Sequence, residues 1–137
     1  MTDPSPYDSR ALLGQSGPLT RDTALTALSQ AAGLMASADF LDAARLYGRI
    51  VGFDDPSITG AAMVGLGEAL HRLDRDDEAL GQWEAATQLA ENEHTYAAWR
   101  NVAAARVRAQ DLRGAINAYR EADRRAPRED KAEIANR

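Results

Sequence analysis

The chain has 137 residues, 45% of them hydrophobic, a net charge of −5 and no cysteine. That is one domain's length with apolar side chains enough for a core, and it excludes a disulfide framework, a thiolate zinc site and a thiol nucleophile. No apolar run reaches the roughly 18 residues that a membrane span needs, and the polar opening MTDPSPYDSR lacks the apolar stretch of a secretory signal, so a cytoplasmic setting is expected.

Charge is unevenly spread. Residues 1–99 hold six arginines against fifteen acids, whereas residues 100–128 hold eight arginines against three acids. A basic end of this kind can mark a docking face for an acidic partner, and it is also what a solvated helix face looks like.

In chain order, residues 1–19 carry Pro4, Pro6 and Pro18 with serine and glycine, which predicts a flexible leader. Within it Ser9 to Gly14 has the signals for one or two helical turns. From Thr20 onward apolar residues recur at helical spacing and β-branched residues are sparse. The pattern predicts helices over 22–37, 40–53, 58–73, 76–91, 95–109 and 112–126, and another starting near 129. Thr20, Ser57 and Thr95 are the expected N-caps, with Pro56 and Pro127 where helices should stop. Gly65 and Gly67 fall inside a helix, where each costs about 1 kcal/mol relative to alanine. Tolerating both implies that another part of the chain comes very close.

An internal period supplies the reason. Residues 38–47, 74–83 and 110–119 align with an alanine at Ala43, Ala79 and Ala115, 36 residues apart each time. Four residues on stands an aromatic, Tyr47, Trp83 and Tyr119; twelve residues before stands a small residue, Ala31, Gly67 and Ala103. The small residue is expected to leave a hole opposite the alanine, and the aromatic to fill the joint to the next unit.

This pattern resembles the tetratricopeptide repeat, whose signature runs W-x2-L-G-x2-Y, then A-x3-F, then P. Leu66-Gly67 matches the L-G pair, Trp99 the leading tryptophan and Pro127 the closing proline. The period is longer than the family's, Ala27 and Met63 replace the leading tryptophan, and Leu34, Leu70 and Arg106 replace the first tyrosine. The resemblance implies an all-α, right-handed superhelical solenoid of three helix hairpins, at about 24–57, 60–93 and 96–129. Residues 130–137 would then start a capping helix or a truncated fourth repeat.

Catalytic chemistry finds little footing. His71 and His94 sit on different predicted elements without metal-ligand spacing, and no nucleophile–base signature is present. The acids of Asp74 to Glu78 lack the glycine and the distal glutamate of a calcium loop, and suit the positive start of a helix better. Gly65-Leu66-Gly67 has neither the preceding strand nor the third glycine of a phosphate cradle. No catalytic, metal or cofactor residue is therefore expected. The four aligned and leading aromatics are expected between helices rather than under nucleic-acid bases, which disfavours a nucleic-acid partner.

The resemblance implies a concave groove lined by the first helix of each unit. On that pattern Leu25, Leu28 and Met35 line it in the first unit, with Ala32. Val64, Glu68, His71 and Arg72 follow in the second, and Arg100, Asn101 and Arg108 in the third, with Ala104. The groove would be apolar at one end and basic at the other, suited to a protein or peptide with apolar and acidic residues. Leu28 and Ala32 stand where some family members carry a carboxylate-gripping lysine and asparagine, which disfavours an acidic chaperone tail. Leu12 and Leu13 of the leader could fill the apolar end in cis, and the terminal repeat could pair with a second copy. The stretch 126–137 also resembles the end of the cytosolic repeat segment of bacterial rhomboid-type intramembrane proteases. On that alternative the chain is a cytosolic docking arm, and contact with a membrane comes only through a part outside it.

Overall fold

The computed structural model describes residues 19–127, which are helical with no strand. Six helices follow one another: α1 (Arg21–Ala36), α2 (Phe40–Ile50), α3 (Pro56–Arg72), α4 (Asp76–Thr87), α5 (Thr95–Arg108) and α6 (Leu112–Arg125). The expected leader turn, the Leu12/Leu13 contact and the helix starting near 129 lie outside the described residues. Among the described residues no helix is long and apolar enough to cross a membrane.

Each helix packs on its chain neighbours, and α1 also meets α3 as α3 meets α5. Three residues link α1 to α2, α3 to α4 and α5 to α6. Links so short between packed helices reverse the chain, which makes three helical hairpins. All three turns have one geometry. Ala38, Asp74 and Gln110 adopt left-handed φ of 61°, 61° and 62°, although none is glycine. The next amides, of Asp39, Arg75 and Asp111, donate back to Leu34 O, Leu70 O and Arg106 O at 2.8, 2.9 and 2.8 Å. This is a Schellman ending, which uses up carbonyls the helix would leave bare. The 36-residue interval thus recurs in backbone conformation as well as in side chains.

Two N-caps differ from expectation. α3 begins at Pro56, two residues before the expected start, with Asp55 rather than Ser57 as its cap; Asp55 Oδ1 accepts from Ser57 N at 3.0 Å and Ile58 N at 3.4 Å. Pro56 therefore opens a helix instead of stopping one, because a first-turn residue has no intrahelical N–H bond to lose. At α5 the cap position is His94, and Thr95 Oγ1 accepts instead from Asn92 N at 3.0 Å. Thr20 caps α1 as expected, in a reciprocal box with Thr23. α2 ends at Ile50 rather than 53 and α4 at Thr87 rather than 91. At the first of these ends Gly52 turns at φ 94° and donates to Thr59 Oγ1 at 2.8 Å.

The core runs through the hairpins as one cluster. Ala31, Ala43, Ala79 and Ala103 belong to it, as do Tyr47 and Trp83, and Ala115 is buried in the third unit. The two glycines of α3 receive the two aromatics. A Cβ on Gly65 would lie 2.5 Å from Cε1 of Tyr47, and one on Gly67 would lie 2.7 Å from Cδ1 of Trp83. The space at Gly67 is thus taken by Trp83, not by Ala79. Glycine is required at both positions because an aromatic ring lies where a methyl group would be. Tyr119, the third aromatic of the series, is exposed.

Polar links join successive units along one edge. Arg21 pairs with Asp55, Ser57 donates to Glu93, and Arg125 bonds Glu91. Arg125 also lies 5.5 Å over the ring of Trp99 and pairs with Glu121 at 2.7 Å, holding that carboxyl below its ordinary pKa.

Candidate functional site

A cleft of about 300 Å³ opens between the second and third hairpins, lined by Glu68, His71, Arg72, Trp83, Asn101, Ala104 and Arg108. The helix period explains its composition. Glu68, His71 and Arg72 stand at i, i+3 and i+4 on α3, and Asn101, Ala104 and Arg108 at i, i+3 and i+7 on α5. Each triplet therefore shares one face, and the two faces meet across the cleft. Trp83 of α4 forms its wall. The indole reaches this place through Gly67 and is held by donating from Nε1 to Val64 O at 3.2 Å.

The side chains around the cleft are partly constrained. His71 Nδ1 lies 2.7 Å from Asp76 Oδ1, across the turn from α3 to α4. An ionised carboxylate can only accept, so Nδ1 carries the proton and the imidazole is oriented by Asp76. The same ring tilts against Trp83, with centroids 6.3 Å apart. Arg72 stacks its guanidinium 5.7 Å over Phe40. Neither Arg72 nor Arg108 forms an ion pair among the described residues, whereas Arg21, Arg45, Arg106 and Arg125 all do. Near the cleft, the Tyr47 hydroxyl has its pKa raised above 10.0, first by burial and then by the Glu68 charge.

The expected groove residues do not all gather here. Glu68, His71, Arg72, Asn101 and Arg108 line the one cleft. Val64 lends only its carbonyl, and Arg100 stands 5.6 Å over the Tyr96 ring. Leu28 and Met35 are partly buried against the core, so they are packing residues first, while Leu25 is exposed. Two participants escape the sequence pattern. The aromatic register points Trp83 to the core alone, yet a ring can fill a joint with one edge and wall a cleft with the other. Asp76 has the position of a helix-start acid, and its reach back to His71 depends on the αL turn at Asp74, which no side-chain pattern announces.

Chemically, the cleft offers two guanidinium groups, one primary amide, one oriented imidazole, one carboxylate and an aromatic wall. Guanidinium forks suit carboxylates, and an amide can serve a peptide bond as donor and acceptor at once. Among the described residues no three metal-binding side chains come together. Comparison of the chain with protein-family models, with curated proteins and with solved structures gave no match.

Proposed function

We propose that the chain is a tetratricopeptide-like solenoid of three hairpins acting as a protein-interaction module, which holds a peptide segment in the cleft between its second and third units. The carrying observation is that Arg72 and Arg108, both without an ion-pair partner among the described residues, line one cleft with Asn101 beside an aromatic wall. An acidic side chain of the peptide meets the arginines, Asn101 takes a main-chain amide, and an apolar side chain lies against Trp83. Glu68 discriminates against peptides whose acids crowd its end of the cleft.

The test is selection from a random peptide display library. Enrichment of an acidic residue close to an aliphatic one is the expected outcome. Binding of the selected peptide should fall about tenfold for each of Arg72→Glu and Arg108→Glu, about 1.4 kcal/mol apiece. Peptides without acidic enrichment, or retained binding in the double variant, would overturn the reading.

A further inference from the structure

Of the side chains that line the cleft, His71 alone can change its charge near neutrality. Histidine gains or loses a proton between about pH 5 and 8, whereas guanidinium groups and carboxylates keep their charges across that range. The surroundings of the ring are set by every helix that packs on α3. From α4, Asp76 Oδ1 holds Nδ1 at 2.7 Å, and the indole of Trp83 tilts against the ring. Asp77 lines the neighbouring hollow, together with Asp76 and Arg108. On α3 itself Glu68 stands one turn back and Arg72 is the next residue; from α5, Arg108 and the neutral Asn101 line the facing side. On α2, Tyr47 feels the Glu68 charge, and Asp42 and Arg45 pair with each other at 3.6 Å. The charged residues of α1, Arg21 and Asp22, lie at its start, where Arg21 pairs with Asp55 at the end of α3 away from His71. Two cations, Arg72 and Arg108, thus face two anions, Glu68 and Asp76, and the cleft with its supporting carboxylate sums to zero while the imidazole is neutral.

We propose, resting on the peptide reading above, that His71 makes the cleft's hold on an acidic peptide depend on protons, tightening it in mild acid and loosening it in mild alkali. Because Nδ1–H is committed to Asp76, the incoming proton goes to Nε2, which turns from an acceptor into a donor. The imidazolium so formed keeps a carboxylate partner in Asp76, which favours the charged ring. It adds a third cation to Arg72 and Arg108, and the balance moves from zero to one positive charge. An acidic peptide gains by that change, and by linkage a bound peptide draws a proton onto the ring.

The chain has two histidines, which makes the test clean. The probe is the display-selected peptide, free of histidine and blocked at both ends, titrated into the full chain by calorimetry at about pH 5.5 and about pH 8. Affinity about fivefold higher at the acid end is expected, as one added charge at the edge of a solvated cleft gives. Between those limits binding should take up protons, read from how the heat varies with the ionisation enthalpy of the buffer. His71→Gln should bind at both pH values as the parent binds at the alkaline one. His94→Gln should keep the parent's pH dependence, since His94 stands outside the cleft, 3.5 Å from Glu93. Equal affinities of the parent at the two pH values, or a pH dependence that survives in His71→Gln, would overturn the proposal. Either result leaves the peptide site standing, because that site is judged by Arg72→Glu and Arg108→Glu; binding indifferent to those two variants would remove both readings.

Discussion

Trp83 and Gly67 occupy one volume: the indole edge lies where a β-carbon on the glycine would be, with its Cδ1 2.7 Å from that point. The relation ties the interior to the cleft, because the same indole that needs Gly67 also walls the space between Arg72 and Arg108. Its Nε1–H donates to Val64 O, one turn back on the glycine's own helix. A methyl group at 67 would therefore displace a ring, a hydrogen bond and a binding wall together.

Gly67→Ala is expected to destabilise the fold by about 1–3 kcal/mol despite alanine's better helix propensity, because overpacking outweighs the backbone gain. Gly81→Ala is the control. Nothing lies within 4 Å of a Cβ at that exposed helical position, so it should stabilise by about 0.5–1 kcal/mol. Urea unfolding of the two variants against the parent checks both signs, and equal effects would remove the packing account.

The three turns hold non-glycine residues in the left-handed region, which costs each of them about 1–2 kcal/mol. Ala38→Gly and Gln110→Gly remove that strain and give back part of the gain as unfolded-state entropy. A net stabilisation of about 0.5 kcal/mol or more is expected from each, additive in the double variant since the turns stand in the first and third hairpins and share no hydrogen-bond partner. Chemical denaturation of the two single variants and the double variant measures it.

Tyr47 carries a pH dependence of definite sign. Burial and the Glu68 charge raise its pKa above 10.0, so the folded state holds the proton after the unfolded state has released it. The stabilising contribution is whole below pH 10 and declines as pH climbs toward the folded value. Tyrosinate absorbance should show a late-titrating phenol that disappears in Tyr47→Phe and moves toward pH 10 in Glu68→Gln. A Glu68→Gln protein with the same titration would leave burial as the whole cause.

Asp55 has two tasks, capping α3 and pairing with Arg21, and the hydrogen bond from Arg21 is the first cause of its lowered pKa. Stability from this group is present above its ordinary value of 3.8 and lost as pH falls through the lower folded value. Asp55→Asn keeps a capping oxygen and loses the charge, whereas Asp55→Ala loses both. Thermal midpoints at neutral pH should rank parent, Asn variant, Ala variant, and the gap between parent and Asn variant should close in acid.

Much of the local architecture is legible in the chain itself. The 3.6-residue recurrence of alanine and leucine places six helices, and the 36-residue alignment of Ala43, Ala79 and Ala115 picks residues that are all buried. Part of the cleft is legible too, since Glu68, His71 and Arg72 share a helical face by spacing alone. The caps at Asp55 and His94 are less so. Serine, threonine and aspartate are all good caps, and the choice at α3 follows from Pro56 occupying its first turn and from Arg21 reaching across from α1.

What the sequence determined by itself is whatever depends on neighbours a few residues away or on exact repetition: helix, turn spacing, and the faces on which side chains stand. Only the tertiary structure decided which partner fills each vacancy. A glycine records that space is needed but not by whom: the repeat assigns the hole at Gly67 to Ala79, and packing gives it to Trp83 and the space at Gly65 to Tyr47. The cleft belongs to the same class, because its seven lining residues come from three helices, α3, α4 and α5, that only packing brings together.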